Sequence, residues 1–341
     1  MRATFIKRRV GPFVLSAAVF AAVVLPLRAG AEPLRIGLAL IAAGAPVYIA
    51  QDKGYFAEQG LETKIVPMDS ALAISMAVVS NDIDVGTTGI SAGLYSLAGQ
   101  GKIRIIGALA RDVPGFQQFA LVANNRAYAA GLKTYRDLAG HAVAIAQMGA
   151  TTHYVLGRLG EKFGFDLKSV RVMALQTPSN TLSAITGGQV DAGIMPATQV
   201  MGGVTRDEIK LIGFTGDETP WQSGTVFTST KMTDERGDTL KRFLAAYRKG
   251  TSAYHHAFID ADGRRKDQAT APEMLQIFAR WTKQPIDQLE RAMPYIDAEA
   301  RLDVKDVLHQ IAWFKSHNML KEEMKGEEMI DTRYVVALPG E

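Results

Sequence analysis

The sequence of 341 residues contains no cysteine. This absence excludes disulfide bonds, zinc–thiolate and iron–sulfur centres and cysteine nucleophiles, and we expect no lipid attached through a cysteine. A chain of this length can be stabilised by its hydrophobic core without disulfides, even after export. The sequence also lacks G-x-S-x-G, H-E-x-x-H, the P-loop and G-x-G-x-x-G, which mark many hydrolases, metallopeptidases, nucleotide hydrolases and dinucleotide enzymes. We therefore expect no catalytic activity, no metal and no cofactor.

A long apolar stretch occurs at the N-terminus and is not followed by a second one. Basic residues at 7–9 precede an apolar stretch over 10–27, and the small residues 29–31 resemble an export-cleavage site. We expect residues 1–31 to be a cleaved signal peptide and the mature protein to be periplasmic. The alternative is a retained membrane anchor, for which the stretch is marginal because a span needs about 20 apolar residues.

The mature chain has no excess of positive charge. The whole sequence holds 38 basic and 35 acidic residues, and five of the basic residues but none of the acidic ones lie in residues 1–31. The remaining 33 basic and 35 acidic residues give a net charge of −2. Nucleic-acid binding needs clustered positive charge on a folded surface, so we expect no nucleic-acid partner.

The stretch Leu34–Glu62 shows how the rest of the chain is organised. An apolar run at 34–41 predicts a strand, and residues 61–68 predict a second one. Between them the small residues 42–45 predict a loop, and Pro46 suits the first turn of a helix because its missing N–H needs no partner there. Strand, helix and strand in this order form a parallel βαβ unit. Since ligands bind beyond the carboxyl ends of such strands, the loop is a candidate binding surface.

The strand–loop–helix pattern indicates two lobes. Four repeats from the start of the mature chain predict one α/β lobe with a mostly parallel sheet. A strand at 119–123 leaves this lobe, the pattern then starts again, and a strand at 224–229 returns. The remainder is mainly helical. We expect the first lobe to comprise residues 32–121 and 225–341, and the second lobe to comprise residues 122–224.

Four short segments carry a family resemblance. They are AQDKGYFAEQGLE (50–62), NDIDVGTTG (81–89), DLAGHAVAIA (137–146) and AITGGQVDAGI (184–194). With these segments in this order, the chain resembles the periplasmic substrate-binding proteins of ABC importers for nitrate, taurine, aliphatic sulfonates and thiamine precursors, the NitT/TauT-like family. The resemblance implies the type II periplasmic-binding-protein fold, in which two α/β lobes with mostly parallel sheets are joined by two crossing strands.

The resemblance also implies a function without catalysis. A small anionic organic solute, a sulfonate or a carboxylate, would be captured between the lobes by hinge closure and delivered to an ABC permease in the inner membrane. We expect a monomer. One alternative is a periplasmic ligand-sensing protein that docks on a signalling partner. A second is an enzyme similar to the pyrimidine synthases of thiamine biosynthesis, which the absence of cysteine and the export signal disfavour.

Candidate ligand-binding residues lie at the predicted strand ends. The turn from Gln147 to Thr152 is the sharpest, because helix N-termini attract anions and Gly149 allows a ligand to approach the backbone. Thr151 and Thr152 add hydroxyl groups, although one of them can simply cap the helix. The complete set is Gly44, Ala45, Ser70, Thr87, Thr88, Arg111, Gln147, Gly149, Thr151, Thr152 and Thr198.

The charged and aromatic candidates have two interpretations each. Arg111 is a candidate for a bidentate clamp on a carboxylate or sulfonate, or else forms a surface or inter-lobe ion pair. His153 either contacts the solute or points outward as a neutral side chain. Phe116, Phe119 and Trp221 lie near the predicted crossovers, where they either stack on an aromatic solute or pack the hinge.

Overall fold

The structure is a computed structural model that describes Met1 and residues 30–291 and 293–339. The chain divides into two units, Met1–Gly30 and Ala31–Glu341, and the second holds every element described below. The predicted signal segment, residues 1–31, lies almost entirely outside the described residues, so its role and cleavage stay predictions. Within the described ranges, no helix has the length and apolar character needed to cross a membrane.

Ten strands lie in the described ranges. They are β1 (Glu32–Leu38), β2 (Leu61–Pro67), β3 (Val85–Gly89), β4 (Ile103–Asp112), β5 (Phe119–Asn124), β6 (Ala142–Ile145), β7 (Arg171–Ala174), β8 (Ala192–Pro196), β9 (Ile209–Phe214) and β10 (Trp221–Ser229).

Fourteen α-helices lie in the same part of the chain. They are α1 (Ala45–Asp52), α2 (Tyr55–Glu58), α3 (Ala71–Val79), α4 (Ala92–Gly99), α5 (Asn125–Ala129), α6 (Thr151–Phe163), α7 (Pro178–Thr186), α8 (Ala197–Thr205), α9 (Thr215–Glu218), α10 (Thr230–Glu235), α11 (Gly237–Phe258), α12 (Ala271–Thr282), α13 (Ile286–Glu290) and α14 (Val304–Ser316). Single turns of 3-10 helix occur at Ala42–Gly44, Tyr135–Leu138, Leu167–Ser169 and Glu327–Met329.

The strands form two five-stranded sheets, each with one reversed strand. The first sheet has the order β2-β1-β3-β10-β4, in which β10 runs antiparallel to both of its neighbours. The second has the order β7-β6-β8-β5-β9, in which β5 is the antiparallel strand. We call the sheets with their helices the first and second lobes. The predicted α/β fold with two lobes and mostly parallel sheets is confirmed.

The two reversed strands are the strands that follow the crossings between lobes. The chain leaves the first lobe after β4 and enters the second as β5, and it returns after β9 as β10. Each crossing strand inserts between two strands of the sheet that it joins. The lobe boundaries predicted at residues 121/122 and 224/225 stay predictions. In the structure, β5 already pairs with β8 of the second sheet from Phe119, and β10 already pairs with β4 of the first sheet from Trp221.

Close backbone packing positions the helices of the first lobe. Helix α11 lies against α1, where a Cβ on Gly250 would stand 2.2 Å from the carbonyl oxygen of Pro46. Glycine is therefore required at this helix crossing. Together the two helices cover the buried strand β1, in which Ile36 is completely shielded from solvent.

Helix α14 contacts both lobes. Its Phe314 ring lies 6.1 Å from Tyr95 on α4 of the first lobe and 6.2 Å from Tyr154 on α6 of the second lobe. Its Trp313 occupies the space beside Gly157 of α6, where an added Cβ would stand 2.3 Å from the indole ring. These aromatic contacts place the start of α6 at a fixed position next to the cleft described below.

Candidate functional site

Two adjoining cavities lie where the carboxyl ends of the strands of the two lobes meet. The inner cavity has a volume of about 100 Å³ and the outer cavity about 480 Å³. Gly89 at the end of β3 and Thr151 at the start of α6 line both cavities, so the two cavities adjoin at these residues. Gly89 belongs to the first lobe and Thr151 to the second. The cavities therefore form one cleft between the lobes.

The polar lining of the cleft is largely uncharged. In the inner cavity it consists of Thr87, Thr88, Gln118, Thr151 and Ser223, and the other lining residues are glycine, alanine or larger apolar residues. In the outer cavity it consists of Asp69, Ser70, Ser75, Ser91, Gln147 and Gln176, together with Thr151. Among the described residues that line the two cavities, Asp69 is the one with a formal charge.

The loop after β1 is shaped by a tyrosine of α1. The Tyr48 hydroxyl lies 3.2 Å from the carbonyl oxygens of Ala39 and Ile41 and donates to them. A Cβ on Gly44 would stand 2.5 Å from the same hydroxyl oxygen, so the loop needs glycine there. The loop therefore presents backbone and small side chains to the inner cavity. Ala45, the next residue, is completely buried and lines neither cavity.

Serine caps begin the two first-lobe helices that border the outer cavity. The Ser70 hydroxyl accepts the N–H of Ala73 at the start of α3. The Ser91 hydroxyl accepts the N–H of Leu94 at the start of α4. Such caps satisfy N–H groups that a helix start otherwise leaves unpaired.

The turn before α6 is held by a buried histidine. Gly149 has a φ of +75°, which favours glycine, and its N–H donates to Nδ1 of His153 over 3.2 Å. The His153 ring packs edge-on against Trp313, with 5.1 Å between centroids. Of the two interpretations of His153, the outward-pointing side chain is wrong, because the residue is 2% exposed. Burial lowers the pKa of His153 to about 4, so the ring is neutral near pH 7 and accepts the bond.

A main-chain hydrogen bond joins the two lobes across this cleft. The N–H of Ala92, the first residue of α4, donates to the carbonyl oxygen of Gly149 over 2.9 Å. A Cβ on Gly149 would stand 3.2 Å from the Cβ of Ala92. The lobes are therefore in backbone contact at this point of the cleft.

Seven of the predicted site residues line the cleft. Gly44, Thr87 and Thr88 line the inner cavity, Ser70, Gln147 and Gly149 line the outer cavity, and Thr151 lines both. The residues come from four strand ends in two lobes, as the sequence pattern predicts. Their contact with a solute stays a prediction.

Four predicted residues line neither cavity. Ala45 lies beneath the first loop. Arg111 lies within β4 and forms an ion pair with Asp303 at 2.6 Å, which directs its guanidinium to the start of α14. The Thr152 hydroxyl accepts the N–H of Ala146 over 3.2 Å, so it braces the turn after β6. Thr198 lies in the first turn of α8.

The contribution of the crossing strands to the cleft could not be predicted from the sequence. Ser223 and Gly224 of β10 line the inner cavity, as does Gln118 just before β5. The Ser223 hydroxyl donates to the carbonyl oxygen of Ala110 over 3.0 Å. The residue types carried no functional signal, because the position of β10 between β3 and β4 is set by pairing of distant segments. Phe119, considered a hinge or stacking residue, lines the inner cavity.

A buried carboxyl group lies where the two crossings meet. Asp112 at the end of β4 accepts hydrogen bonds through one oxygen from the Thr215 hydroxyl (2.7 Å) and the Trp221 indole N–H (3.2 Å). Its other oxygen, Oδ1, has no hydrogen-bond partner among the described residues. Burial raises the pKa of Asp112 to about 7. Trp221 is fully buried in this hinge packing and does not line the cleft.

A second buried carboxylate ties α14 to both lobes. Asp306 accepts from the Tyr154 hydroxyl of α6 at 2.8 Å and from the Gln222 N–H of β10 at 2.7 Å. Arg158 and Gln310 add further hydrogen bonds to the same carboxylate. Burial raises the pKa of Asp306 above its ordinary value, although these donors oppose the effect. The network fixes the orientation of α6 and hence of the turn at its start.

Several solved structures with the same fold are binding proteins. The periplasmic aliphatic sulphonate binding protein SsuA from Escherichia coli aligns with a TM-score of 0.70 at 16% identity, covering 91% of this chain and 94% of that chain. The alkanesulfonate-binding protein SsuA from Xanthomonas axonopodis pv. citri, bound to MOPS, gives 0.67 at 17%, covering 88% and 98%. The periplasmic nitrate-binding protein NrtA from Synechocystis PCC 6803 gives 0.61 at 15%, covering 87% and 84%.

The sequence comparison gives the family. A search of the curated proteins gives no match to this chain. Residues 42–257 match the family described as NMT1/THI5 like. This range covers more than half of the chain and holds all four segments on which the resemblance to NitT/TauT-like binding proteins was based, and that resemblance is confirmed. The chain belongs to the NMT1/THI5-like family.

Proposed function

We propose that the chain is an extracytoplasmic receptor that captures a small polar organic solute between its lobes and delivers it to an ABC permease. The observation that carries the proposal is the cleft itself. Both lobes line it, and the bond from Ala92 to Gly149 bridges it. Capture by closure of two lobes about crossing strands is a common way to enclose a small ligand.

The fold relatives support the receptor function and its location. All three bind sulfonates or nitrate, and those from Escherichia coli and Synechocystis are periplasmic. A periplasmic location also agrees with the signal segment predicted at residues 1–31. The sequence analysis predicts an anionic solute, so the charge of the solute is the first property for a binding screen to establish. Docking on a permease, the monomeric state and the predicted lobe boundaries belong to the same proposal.

The lining of the cleft supports binding rather than catalysis. Among the described residues that line the two cavities there is no lysine to carry pyridoxal phosphate and no histidine to act as a base. Asp69, the charged residue of the lining, is exposed at the outer cavity. A receptor needs no such group, because it selects a solute by pairing each buried polar atom.

A thermal-shift screen of the purified protein tests the proposal. The panel holds sulfonates, carboxylates, inorganic anions, amides, thiamine precursors and pyridoxal phosphate. A ligand at a thousand times its dissociation constant adds about 4 kcal/mol to the free energy of unfolding, which shifts the melting temperature by several degrees. We expect one chemical class to shift it, and mass spectrometry to recover that ligand unchanged. Conversion of the ligand, or a shift with pyridoxal phosphate alone, would contradict the receptor function.

A further inference from the structure

Three threonine residues line the inner cavity, and their hydroxyl groups form no hydrogen bond to the rest of the described protein. Thr87 and Thr88 follow each other in β3 and are 2% and 9% exposed, and Thr151 begins α6 in the other lobe. A hydroxyl group both donates and accepts a hydrogen bond. A solute enclosed here must satisfy these hydroxyls, since a buried polar group without a partner is destabilising by roughly 1–3 kcal/mol.

Positive charge does not reach the lining of the cleft. Of the described lining residues, Asp69 alone carries a formal charge, and it is acidic. Arg111 follows the lining residue Ala110, but its guanidinium is engaged by the carboxylate of Asp303. An anion enclosed here would lose its hydration without gaining a cation, and removal of a charge from water carries a penalty of several kcal/mol.

Four backbone N–H groups at the cleft are engaged within the protein. In the first turns of α3 and α4, the third residue donates its N–H to the capping serine, Ser70 or Ser91. The N–H of Ala92 donates to Gly149, and the N–H of Gly149 donates to His153. Helix N-termini bind anions through such groups when they are available. Here the closed cleft uses these four groups within the protein.

The size of the inner cavity limits the group that enters it. A dry cavity of about 150 Å³ is large enough for benzene, whereas the inner cavity has a volume of about 100 Å³. It therefore accommodates a head group of a few heavy atoms and not a complete aromatic ring. The body of a larger solute would extend into the outer cavity of about 480 Å³.

We propose that the solute is uncharged and that it places in the inner cavity a compact group which both donates and accepts hydrogen bonds, as a carboxamide, lactam or urea does. The inference rests on the proposed receptor function and differs from the anionic solute that the sequence predicts. Thr87 of the first lobe and Thr151 of the second pair with this group, since successive residues of a strand point to opposite faces and Thr88 therefore points away from Thr87. The N–H of an amide donates to a hydroxyl oxygen, and its carbonyl accepts from a hydroxyl O–H. A sulfonate or carboxylate offers acceptors alone.

The test separates solutes by charge before their identity is known. A protein-free small-molecule extract of bacterial cells is passed over an anion-exchange resin and then over a cation-exchange resin. Each retained fraction and the final flow-through are tested for thermal stabilisation of the purified full-length protein. We expect stabilisation by the flow-through, with a shift that is the same at 50 mM and about 300 mM salt, because screening acts only on charges.

Each other result is decisive. Stabilisation by a retained fraction alone, anionic or cationic, overturns the uncharged class and leaves the receptor function standing. If the unfractionated extract also gives no shift, the receptor function fails and this inference fails with it. Matched pairs such as benzamide with benzoate, and nicotinamide with nicotinate, extend the test by calorimetry. We expect each amide to bind at least tenfold more tightly than its acid, and the reverse order overturns the inference.

Variants connect the result to the threonine hydroxyls. Thr87→Val and Thr151→Val keep the side-chain shape, and we expect each to reduce the affinity for the active fraction about tenfold. Thr225→Val is the control, because its hydroxyl donates to the Gly107 carbonyl at 2.8 Å outside the cleft. A melting curve without ligand verifies that each variant folds. If binding by both cleft variants equals that of the control, the hydroxyls do not contact the solute and the inference is wrong.

Discussion

Ala92 donates its backbone N–H to the carbonyl oxygen of Gly149 over 2.9 Å, and this bond joins the two lobes. Ala92 is the first residue of α4 in the first lobe, and Gly149 lies in the turn before α6 in the second. Since the groups belong to different lobes, the bond can form only when the cleft is closed. Both are main-chain groups, so the bond itself does not depend on side-chain identity. It depends on how closely the two backbones approach.

A methyl group at Gly149 should hinder closure. The residue has a φ of +75°, and its added Cβ would stand 3.2 Å from the Cβ of Ala92. For Gly149→Ala we expect a loss of stability of about 1 kcal/mol from the backbone strain. We also expect at least a tenfold loss of solute affinity, because the lobes cannot approach fully. Calorimetry measures the affinity, and small-angle scattering measures the radius of gyration with and without solute.

The control for this substitution is Gly140→Ala. Gly140 has a φ of +82°, lies in the same lobe and has nothing within 4 Å of its added Cβ. It should show the same strain with normal affinity and normal closure. If the two variants bind the solute equally well, contact of Gly149 with Ala92 does not limit closure.

Acid should destabilise the protein through His153. Burial lowers its pKa to about 4, whereas an unfolded histidine titrates near 6.5. The folded protein thus binds this proton more weakly than the unfolded chain does. The stability from the neutral ring is complete above pH 6.5 and is lost as the pH falls toward 4, by on the order of 3 kcal/mol. Protonation would also remove the acceptor for the Gly149 N–H.

The variant His153→Asn should reveal this effect in urea denaturation between pH 4 and 7.5. Asparagine does not titrate, so the decline that His153 causes in acid should disappear. Near pH 7 we expect the variant to be about 1–3 kcal/mol less stable, because it loses the packing against Trp313. His256→Asn, at an exposed position of α11, controls for loss of a histidine. The same decline in acid for His153→Asn and wild type would show that His153 is not its cause.

The sequence was sufficient for the fold and for most of the loops around the cleft. Repeated βα units place Gly44, Ser70, Thr88 and Thr151 at strand ends, and these ends converge because parallel strands share a carboxyl edge. The directions of β5 and β10 could not be predicted in this way. A strand has the same alternating pattern whether it pairs parallel or antiparallel, so the contribution of Ser223 to the cleft was missed.

The roles of the polar side chains near the cleft could not be predicted from the sequence either. The pattern gives the position of His153 on α6, but its burial depends on Trp313, which is 160 residues further along the chain. In the same way, the sequence cannot show that Asp303 at the distant start of α14 engages Arg111. Charged residues at strand ends find partners through tertiary contacts, which local patterns do not encode.

Arg111 should act on stability more than on solute binding. Its guanidinium donates to Asp303 at 2.6 Å, and the two side chains are 19% and 11% exposed. For Arg111→Ala we expect a loss of about 1–3 kcal/mol, the usual range for a hydrogen bond to a charged group. Solute affinity should change less than fivefold. Urea denaturation and calorimetry measure the two effects separately. A tenfold loss of affinity with unchanged stability would restore Arg111 as a solute-binding residue.

The pH dependence of stability should also report the carboxyl group at the crossings. Burial raises the pKa of Asp112 to about 7, whereas an unfolded aspartate titrates near 3.9. The folded protein therefore binds this proton more tightly than the unfolded chain does. The stability that it contributes is complete below pH 4 and is lost as the pH rises from 4 to 7. In that range the loss is about 1.4 kcal/mol per pH unit.

The variant Asp112→Asn should remove this slope while keeping an acceptor for the Thr215 hydroxyl and the Trp221 indole N–H. His153 has the opposite slope below pH 6.5, so the quantity to measure is the difference between variant and wild type by urea denaturation. We expect the variant to gain stability relative to wild type as the pH rises from 4 to 7. Asp287→Asn, at an exposed position of α13, controls for the loss of an aspartate. A flat difference for Asp112→Asn would mean that the buried carboxyl group titrates at its ordinary pKa, and that the hinge holds a charged aspartate at neutral pH.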